Sequence, residues 1–184
     1  MTAGGDARTP TLFQALLGAA FFRLPDAVRR LHCVRGHARY VGQAMVERGT
    51  HPLARLCARM AGLPPAMRDA ALTVDFDANA RQETWRRSFD GAPMRSQLSL
   101  RHGMLCERLG ALRFRFHLYL HEGALHWRVA GVRAFGVLPL PARWFEGVRC
   151  VEREVDGRYA FEVDAVLPLA GTVVRYRGWL VPDA

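Results

Sequence analysis

Residues 112–129 read LRFRFHLYLHEGALHWRV, and their pattern decides the fold. Leu112, Phe114, Phe116, Leu118 and Leu120 alternate with Arg113, Arg115, His117, Tyr119 and His121. A period of two belongs to an extended strand with one apolar face. Glu122-Gly123 then supplies a two-residue turn, and the alternation resumes at Leu125, Trp127 and Val129. Pairing outward from that turn sets Leu120 opposite Leu125, Leu118 opposite Trp127 and Phe116 opposite Val129, so the apolar residues of both strands share a face.

The same reading extends upstream. Turn signals recur at Asn79-Ala80, Asp90-Gly91, His102-Gly103 and Leu109-Gly110, at intervals of roughly 8–12 residues. Parallel strands would need crossover segments longer than that, so the spacing predicts an antiparallel meander. Two-residue turns at these dipeptides set Val74 against Trp85, Phe76 against Glu83, Trp85 against Ser96, Leu98 against Glu107, and Leu105 against Phe114. One face then collects Leu72, Val74, Phe76, Trp85, Leu98 and Leu105, and the other collects Asp75, Arg86, Arg95, Gln97 and Arg108. A single wrong turn parity would send part of the apolar set to the polar side. Downstream, a loop over 135–143 holding Pro139 and Pro141 interrupts the meander, with a short helical turn at 143–145. Asp156-Gly157 marks another hairpin, with Tyr159 and Phe161 on one side and Arg149 across from Asp164 on the other. A last strand covers 172–180.

Helices precede the strands. Thr11 caps a helix whose apolar face is Leu12, Phe13, Leu16 and Leu17 and which ends near Gly18. Pro25 opens a second, with Asp26 beside the N-terminal dipole and Arg29 and Arg30 near the other end. Thr50 or His51 caps a third, opened by Pro52, lined on one face by Leu53, Leu56, Cys57 and Met60, and stopped by Gly62 and Pro64. Arg55 and Arg59 lie on its opposite face. Such a helix either covers one end of a sheet or serves as a lid that touches anionic lipid. A strand is expected between helices two and three, over 36–48. The expected class is α+β and β-rich: N-terminal helices, then a curved antiparallel meander of about eight or nine strands. The sheet either closes as a barrel or is covered by the helices. One domain is expected over 1–184, with 1–10 disordered, 11–64 mostly helical with one strand, and 65–184 antiparallel sheet.

Composition narrows the function classes. The chain has 184 residues, 50% of them hydrophobic and 23% charged, which is globular composition. No apolar run approaches the roughly 20 residues of a membrane-crossing helix. The formal net charge is +9, yet all 26 basic residues are arginine and none is lysine. They are spread from Arg8 to Arg177, as codon bias would also spread them, so nucleic acid is not the expected partner. Cys33, Cys57, Cys106 and Cys150 form no Cys-x-x-Cys pair, which suits a reducing compartment; a cytoplasmic location is expected. No nucleophile elbow, glycine-rich phosphate loop or zinc motif is present in the sequence. His117 and His121 are four apart, a chelating spacing on a helix but a separation of roughly 13 Å on a strand. No cofactor and no metal are expected, and the balance leans away from an enzyme.

Three ionisable residues fall on the otherwise apolar face: Glu83, Arg87 and Glu107. In the expected register Arg87 lies between Leu72 and Met94, and Glu83 and Glu107 flank Leu98. A charge facing an apolar interior is costly unless paired or wet. Either these groups reach solvent near strand ends, or they line a hydrated cavity in which Arg87 clamps the carboxylate or phosphate head of an amphipathic ligand. The binding residues would then be Arg87, Glu83, Trp85 and Glu107, with Phe114, Phe116 and Trp127 as apolar lining. Glu83 and Glu107 also form a candidate acid/base pair, but two strand spacings put them about 9–10 Å apart, at the wide limit for an inverting glycosidase. Glu152 and Glu154 share the side of Tyr159 and Phe161 in the later hairpin.

Several stretches together carry a family resemblance. They are Leu16-Leu17-Gly18 through Phe22-Arg23-Leu24-Pro25, Val28-Arg29-Arg30-Leu31-His32, Glu83-Thr84-Trp85-Arg86-Arg87 with Phe89, and Arg95-Ser96 with Leu98. The closing run from Pro168-Leu169-Ala170-Gly171 to Arg175-Tyr176-Arg177-Gly178-Trp179-Leu180 completes the set. Over roughly residues 12–181 the chain resembles the bacterial domain-of-unknown-function family 4166. The resemblance implies a bacterial source and a possible functional neighbour, a saccharopine-dehydrogenase-like protein, because the family also occurs fused to such domains; it supplies no catalytic residues. Three readings follow: a binding protein for a hydrophobic or amphipathic small molecule, an accessory domain with a solid core docking on a dehydrogenase-like partner, or an enzyme using the inner carboxylates. Peripheral membrane contact, if any, is expected through 52–61.

Overall fold

A computed structural model describes residues 9–183; most of the segment expected to be disordered lies outside them. Two short helices, α1 (Leu12–Leu17) and α2 (Asp26–Leu31), flank a 3-10 turn at Gly18–Arg23. Strand β1 (Gly36–Arg48) leads to α3 (Pro52–Met60). Then come β2 (Met67–Ala78), β3 (Gln82–Phe89), β4 (Ala92–Arg101), β5 (Met104–Leu109), β6 (Leu112–His121) and β7 (Ala124–Ala134). The chain ends with β8 (Leu138–Leu140), a 3-10 turn at Ala142–Phe145, β9 (Gly147–Val155), β10 (Arg158–Leu167) and β11 (Gly171–Pro182).

All neighbouring strands are antiparallel, in the order β6-β5-β4-β3-β2-β1-β11-β10-β9-β7, and β7 pairs back onto β6. Ten strands thus close a barrel, and β8 lies outside it on β7. The two seams of β7 differ. It pairs with β6 along its whole length, but with β9 only from Leu125 to Arg128. Above that point β8 and the 3-10 turn take over beside β7, and Phe145 is buried there.

Alternation places the residues as expected. Val74, Phe76, Trp85, Leu98, Leu105, Phe114, Phe116 and Trp127 are buried, while Arg86, Arg95, Gln97, Arg108, Arg115 and Arg128 are exposed on the outside. An apolar interior under a charged exterior is the reverse of a membrane-spanning barrel, whose apolar band faces outward. Among the described residues no helix is long and apolar enough to cross a membrane.

Two turns differ in register from the expected pairing. Phe76 faces Trp85, and Val74 faces Arg87, two residues further along than a two-residue Asn79-Ala80 turn would give. The Asn79 side chain accepts hydrogen bonds from the backbone N–H groups of Arg81 and Gln82 at 2.9 Å, which closes a longer loop. Leu105 likewise faces Phe116 rather than Phe114, because Gly110 and Ala111 form the turn. The Ala111 N–H donates to the Met60 carbonyl at 2.9 Å, tying this turn to the end of α3. Both shifts are by two residues, so no side chain changes face.

The barrel ends are closed differently. At the floor, Thr11 and Gln14 form a reciprocal capping box on α1. Phe13 reaches inward to stack on His32, with ring centres 3.6 Å apart, and the Thr11 hydroxyl donates to the His32 carbonyl at 3.0 Å. The floor is bolted on by Glu154, whose carboxylate accepts from the Ala27 N–H at 2.6 Å. At the opposite end, the mouth, α3 departs from expectation. It buries Ala54 and Ala58 against Ala170 and Val173, whereas Leu53 and Leu56 are 45% and 47% exposed. Two alanines on one face let the helix backbone approach β11 closely, and that contact outweighs the wider leucine stripe. Arg48 secures the return loop, donating to the carbonyls of Leu63 and Pro64 at 3.1 and 2.5 Å.

Candidate functional site

The barrel encloses a cavity of about 420 Å³. Its wall is built by the period-two pattern itself, since each strand sends alternate residues inward. Trp85, Arg87, Glu107, Phe114, Phe116 and Trp127, six of the expected binding residues, all line it. The seventh, Glu83, does not. It points inward nearer the floor, 4% exposed and within the influence of His32, and its carboxylate accepts from the Trp85 indole N–H at 2.8 Å. Glu83 therefore orients Trp85 instead of lining the cavity.

Arg87 projects from the middle of β3, between Val74 and Met94. Its Nη1 donates to the Ser96 hydroxyl at 2.9 Å, and its guanidinium lies 4.9 Å from the centre of the Trp85 ring. Stacking and one neutral acceptor hold the group without neutralising it. Among the described residues Arg87 makes no ion pair.

Several lining residues were not among those expected. Glu152, Cys150, Tyr159 and Tyr176 reach the cavity from β9, β10 and β11. Glu152 is fully buried and pairs with His32 of the floor, Nε2 to Oε2 at 2.6 Å. The alternation that sets Glu152 beside Phe161 signals its inward aim, but nothing local connects it to a histidine 120 positions earlier. The Trp127 indole N–H is buried and has no acceptor among the described residues.

Burial dominates the proton affinities here. It raises the pKa of Glu107, against opposing pulls from Arg87 and the Ser96 hydroxyl. It raises Glu83 too, against His32 and the Trp85 N–H. Cys150 is pushed well above the usual thiol range, first by burial and then by Glu152 and Glu107. A thiol so held is a poor nucleophile. Tyr159 is raised for the same reasons, burial and Glu152, and Tyr176 is raised chiefly by burial, so both phenols remain donors. The cavity therefore offers a largely apolar, aromatic space that also holds hydrogen-bond donors, two arginines (Arg87 and Arg149) and the carboxyls of Glu107 and Glu152.

Other candidates sit elsewhere. His117 and His121 lie on the outer face of β6, where His117 faces Arg128 and Tyr119 stacks on His126 at 5.1 Å. No group of three or more His, Cys, Asp or Glu residues is placed to hold a metal ion among the described residues.

Fold and site together define a closed ten-stranded antiparallel barrel with an internal, largely apolar cavity. The chain belongs to the family described as a domain of unknown function, DUF4166, which matches residues 24–180. A solved structure, Rv2717c from M. tuberculosis, is similar to it: 12% identical, TM-score 0.46, covering 88% of this chain and 99% of that one. None of the curated proteins matches the chain.

Proposed function

We propose that this domain binds an apolar or amphipathic small molecule inside the barrel, with the molecule's anionic head at Arg87. One observation carries the reading: a guanidinium that makes no ion pair among the described residues, facing a cavity of about 420 Å³ whose walls are otherwise mostly aromatic and aliphatic, with Glu107, Glu152 and Arg149 the other charged residue types among them. Cavities of roughly 300–1,000 Å³ with few convergent polar groups are the usual form of a small-molecule site. A cavity of that size is not the filled core that a docking domain would need. Arg87 is half-buried, and a carboxylate or phosphate would give its guanidinium a charged, bidentate partner. The Trp127 N–H, which has no acceptor among the described residues, is a second donor available to an oxygen of the ligand. With Cys150 held as a thiol and no metal cluster among the described residues, binding is the chemistry these groups support best.

Two probes that differ only in the head group test this. Laurate carries a carboxylate where dodecanol carries a hydroxyl. The full chain is expected to prefer laurate, and Arg87→Ala to weaken laurate binding about tenfold or more while changing dodecanol little. Calorimetric titration of both ligands against both proteins reads the difference. Equal loss for the two ligands would remove Arg87 as the head-group anchor, and no binding of either would overturn the reading. Native mass spectrometry of the purified protein, compared with its denatured mass, would identify any ligand retained from the cell.

A further inference from the structure

The exposed apolar residues are distributed unevenly. Eight of the twelve large hydrophobic side chains exposed among the described residues lie at the mouth of the barrel. Leu53 and Leu56 come from α3, Phe135, Val137 and Leu138 from the β7–β8 turn and β8, and Trp144 from the 3-10 turn; two more sit near the β10–β11 turn. Phe135 is 71% exposed and has φ 53, in the left-handed region that a bulky residue rarely adopts. The backbone accepts that strain to hold a phenylalanine in water at the tip of a turn. Leu53 and Leu56 face outward although alanines on the same helix face in.

This patch is continuous with the cavity. Cys57 and Met60 of α3 line it together with Phe135, Leu138 and Trp144, so the exposed ring borders the internal space. It lies beside the stretch where β7 no longer pairs with β9. Exposed arginines surround it: Arg55 and Arg59 on α3, Arg143 on the 3-10 turn and Arg149 on β9. None of the four makes an ion pair among the described residues. The acidic residues at this end are Glu47, Asp69, Asp90, Glu146 and Asp164; Glu47 and Asp164 are paired with Arg175, and Asp90 is already engaged by the Ala71 N–H at 2.9 Å.

From this we infer that the mouth of the barrel docks on an anionic phospholipid bilayer, with Leu53, Leu56, Phe135 and Trp144 entering the headgroup region and Arg55, Arg59, Arg143 and Arg149 contacting lipid phosphates. An apolar ring with an indole and a cationic surround is the composition of an interfacial membrane site, and the charge sign selects an anionic leaflet. The charged barrel wall limits the depth to that ring. What docking would accomplish, exchange of a lipophilic ligand without passage through water, rests on the cavity reading above; docking itself does not.

Co-sedimentation of the full chain with vesicles tests it. Vesicles of phosphatidylcholine and phosphatidylglycerol in equal parts are expected to retain the protein, phosphatidylcholine alone to retain far less, and added salt to release it. The double substitution Leu53→Ser with Leu56→Ser should weaken binding about tenfold. Arg55→Gln with Arg59→Gln, which leaves the packing untouched, should weaken binding to anionic vesicles by a similar factor of about ten. Phe22→Ser, at the opposite end, should change nothing. Docking is overturned if the parent chain stays in solution with both vesicle types, or if the Phe22 variant loses as much as the mouth variants. It is equally overturned if sedimentation velocity finds a dimer that the leucine substitutions dissolve, which would assign the face to a second copy. Laurate binding without vesicle binding would sink docking alone; vesicle binding without laurate binding would sink the cavity reading alone.

Discussion

Glu83 and Glu107 are 4% and 8% exposed, and burial makes each carboxyl hold its proton more tightly than in the unfolded chain. An acid with a raised folded-state pKa stabilises the fold below the unfolded carboxylate value and loses that contribution as pH climbs toward the folded one. The window therefore opens near the ordinary glutamate value of 4.5 and extends upward. Glu83→Gln keeps an acceptor for the Trp85 indole and removes the titration. Thermal denaturation between about pH 4.5 and 8 should show the variant gaining on the parent as pH rises; parallel curves would mean that Glu83 titrates as it does in water. Asp75 has the opposite sign. The Arg39 guanidinium hydrogen-bonded to it at 2.7 Å lowers its pKa, so its contribution is lost in acid, and solvent keeps that contribution small.

At the scale of the element, α3 inverts the expectation from its own sequence. The residues that matter for its packing are the small ones, Ala54 and Ala58, set against Ala170 and Val173. Enlarging a residue at such a contact forces the helix off the sheet, so Ala58→Leu should cost about 1–3 kcal/mol. Leu56→Ala removes a side chain that is half in water and should cost under about 1 kcal/mol. Urea midpoints of the two variants compare these directly, and a larger loss from the leucine would restore the leucine stripe as the packing face. Gly110 adds a constraint on the same helix: its φ is +55, and a Cβ there would lie 2.3 Å from the Met60 carbonyl oxygen. The β5–β6 turn and the end of α3 are therefore fitted to each other.

For the molecule as a whole, closure turns ten half-buried strands into a container. Every barrel strand is paired on both sides, which removes the free edges an open sheet would expose. Ten strands set a barrel wide enough to leave an internal cavity, and filling it, as proposed above, would add stability. Mass action gives the size: a ligand at a hundred times its dissociation constant stabilises by about 2.7 kcal/mol, or roughly 5–10 °C in a domain of this length. Protein stripped by unfolding and refolding should therefore melt lower than protein given laurate, and Arg87→Ala should show a smaller shift. An unchanged midpoint at saturating laurate would place laurate outside the barrel.

Much of this arrangement was legible in the sequence because it is local. Alternation along one strand decides which side chains face inward, and Asp90-Gly91, His102-Gly103, Glu122-Gly123 and Asp156-Gly157 each adopt the positive φ pair of a tight hairpin. Turn parity then carries one face from strand to strand and sets Trp85, Arg87 and Glu107 on the inner one. Phe135-Gly136 has the same pair of positive φ values inside a three-residue loop, which the sequence does not signal because a phenylalanine rarely accepts a left-handed backbone. Loop length at Asn79 depended on a side chain capping two backbone groups, which spacing cannot reveal. Closure through β6 and β7 against β9, the Glu152–His32 pair, the outward leucines of α3 and the size of the cavity were decided only in three dimensions. Each depends on contacts between residues far apart in the chain, where the balance of burial and close packing among many partners outweighs any local preference.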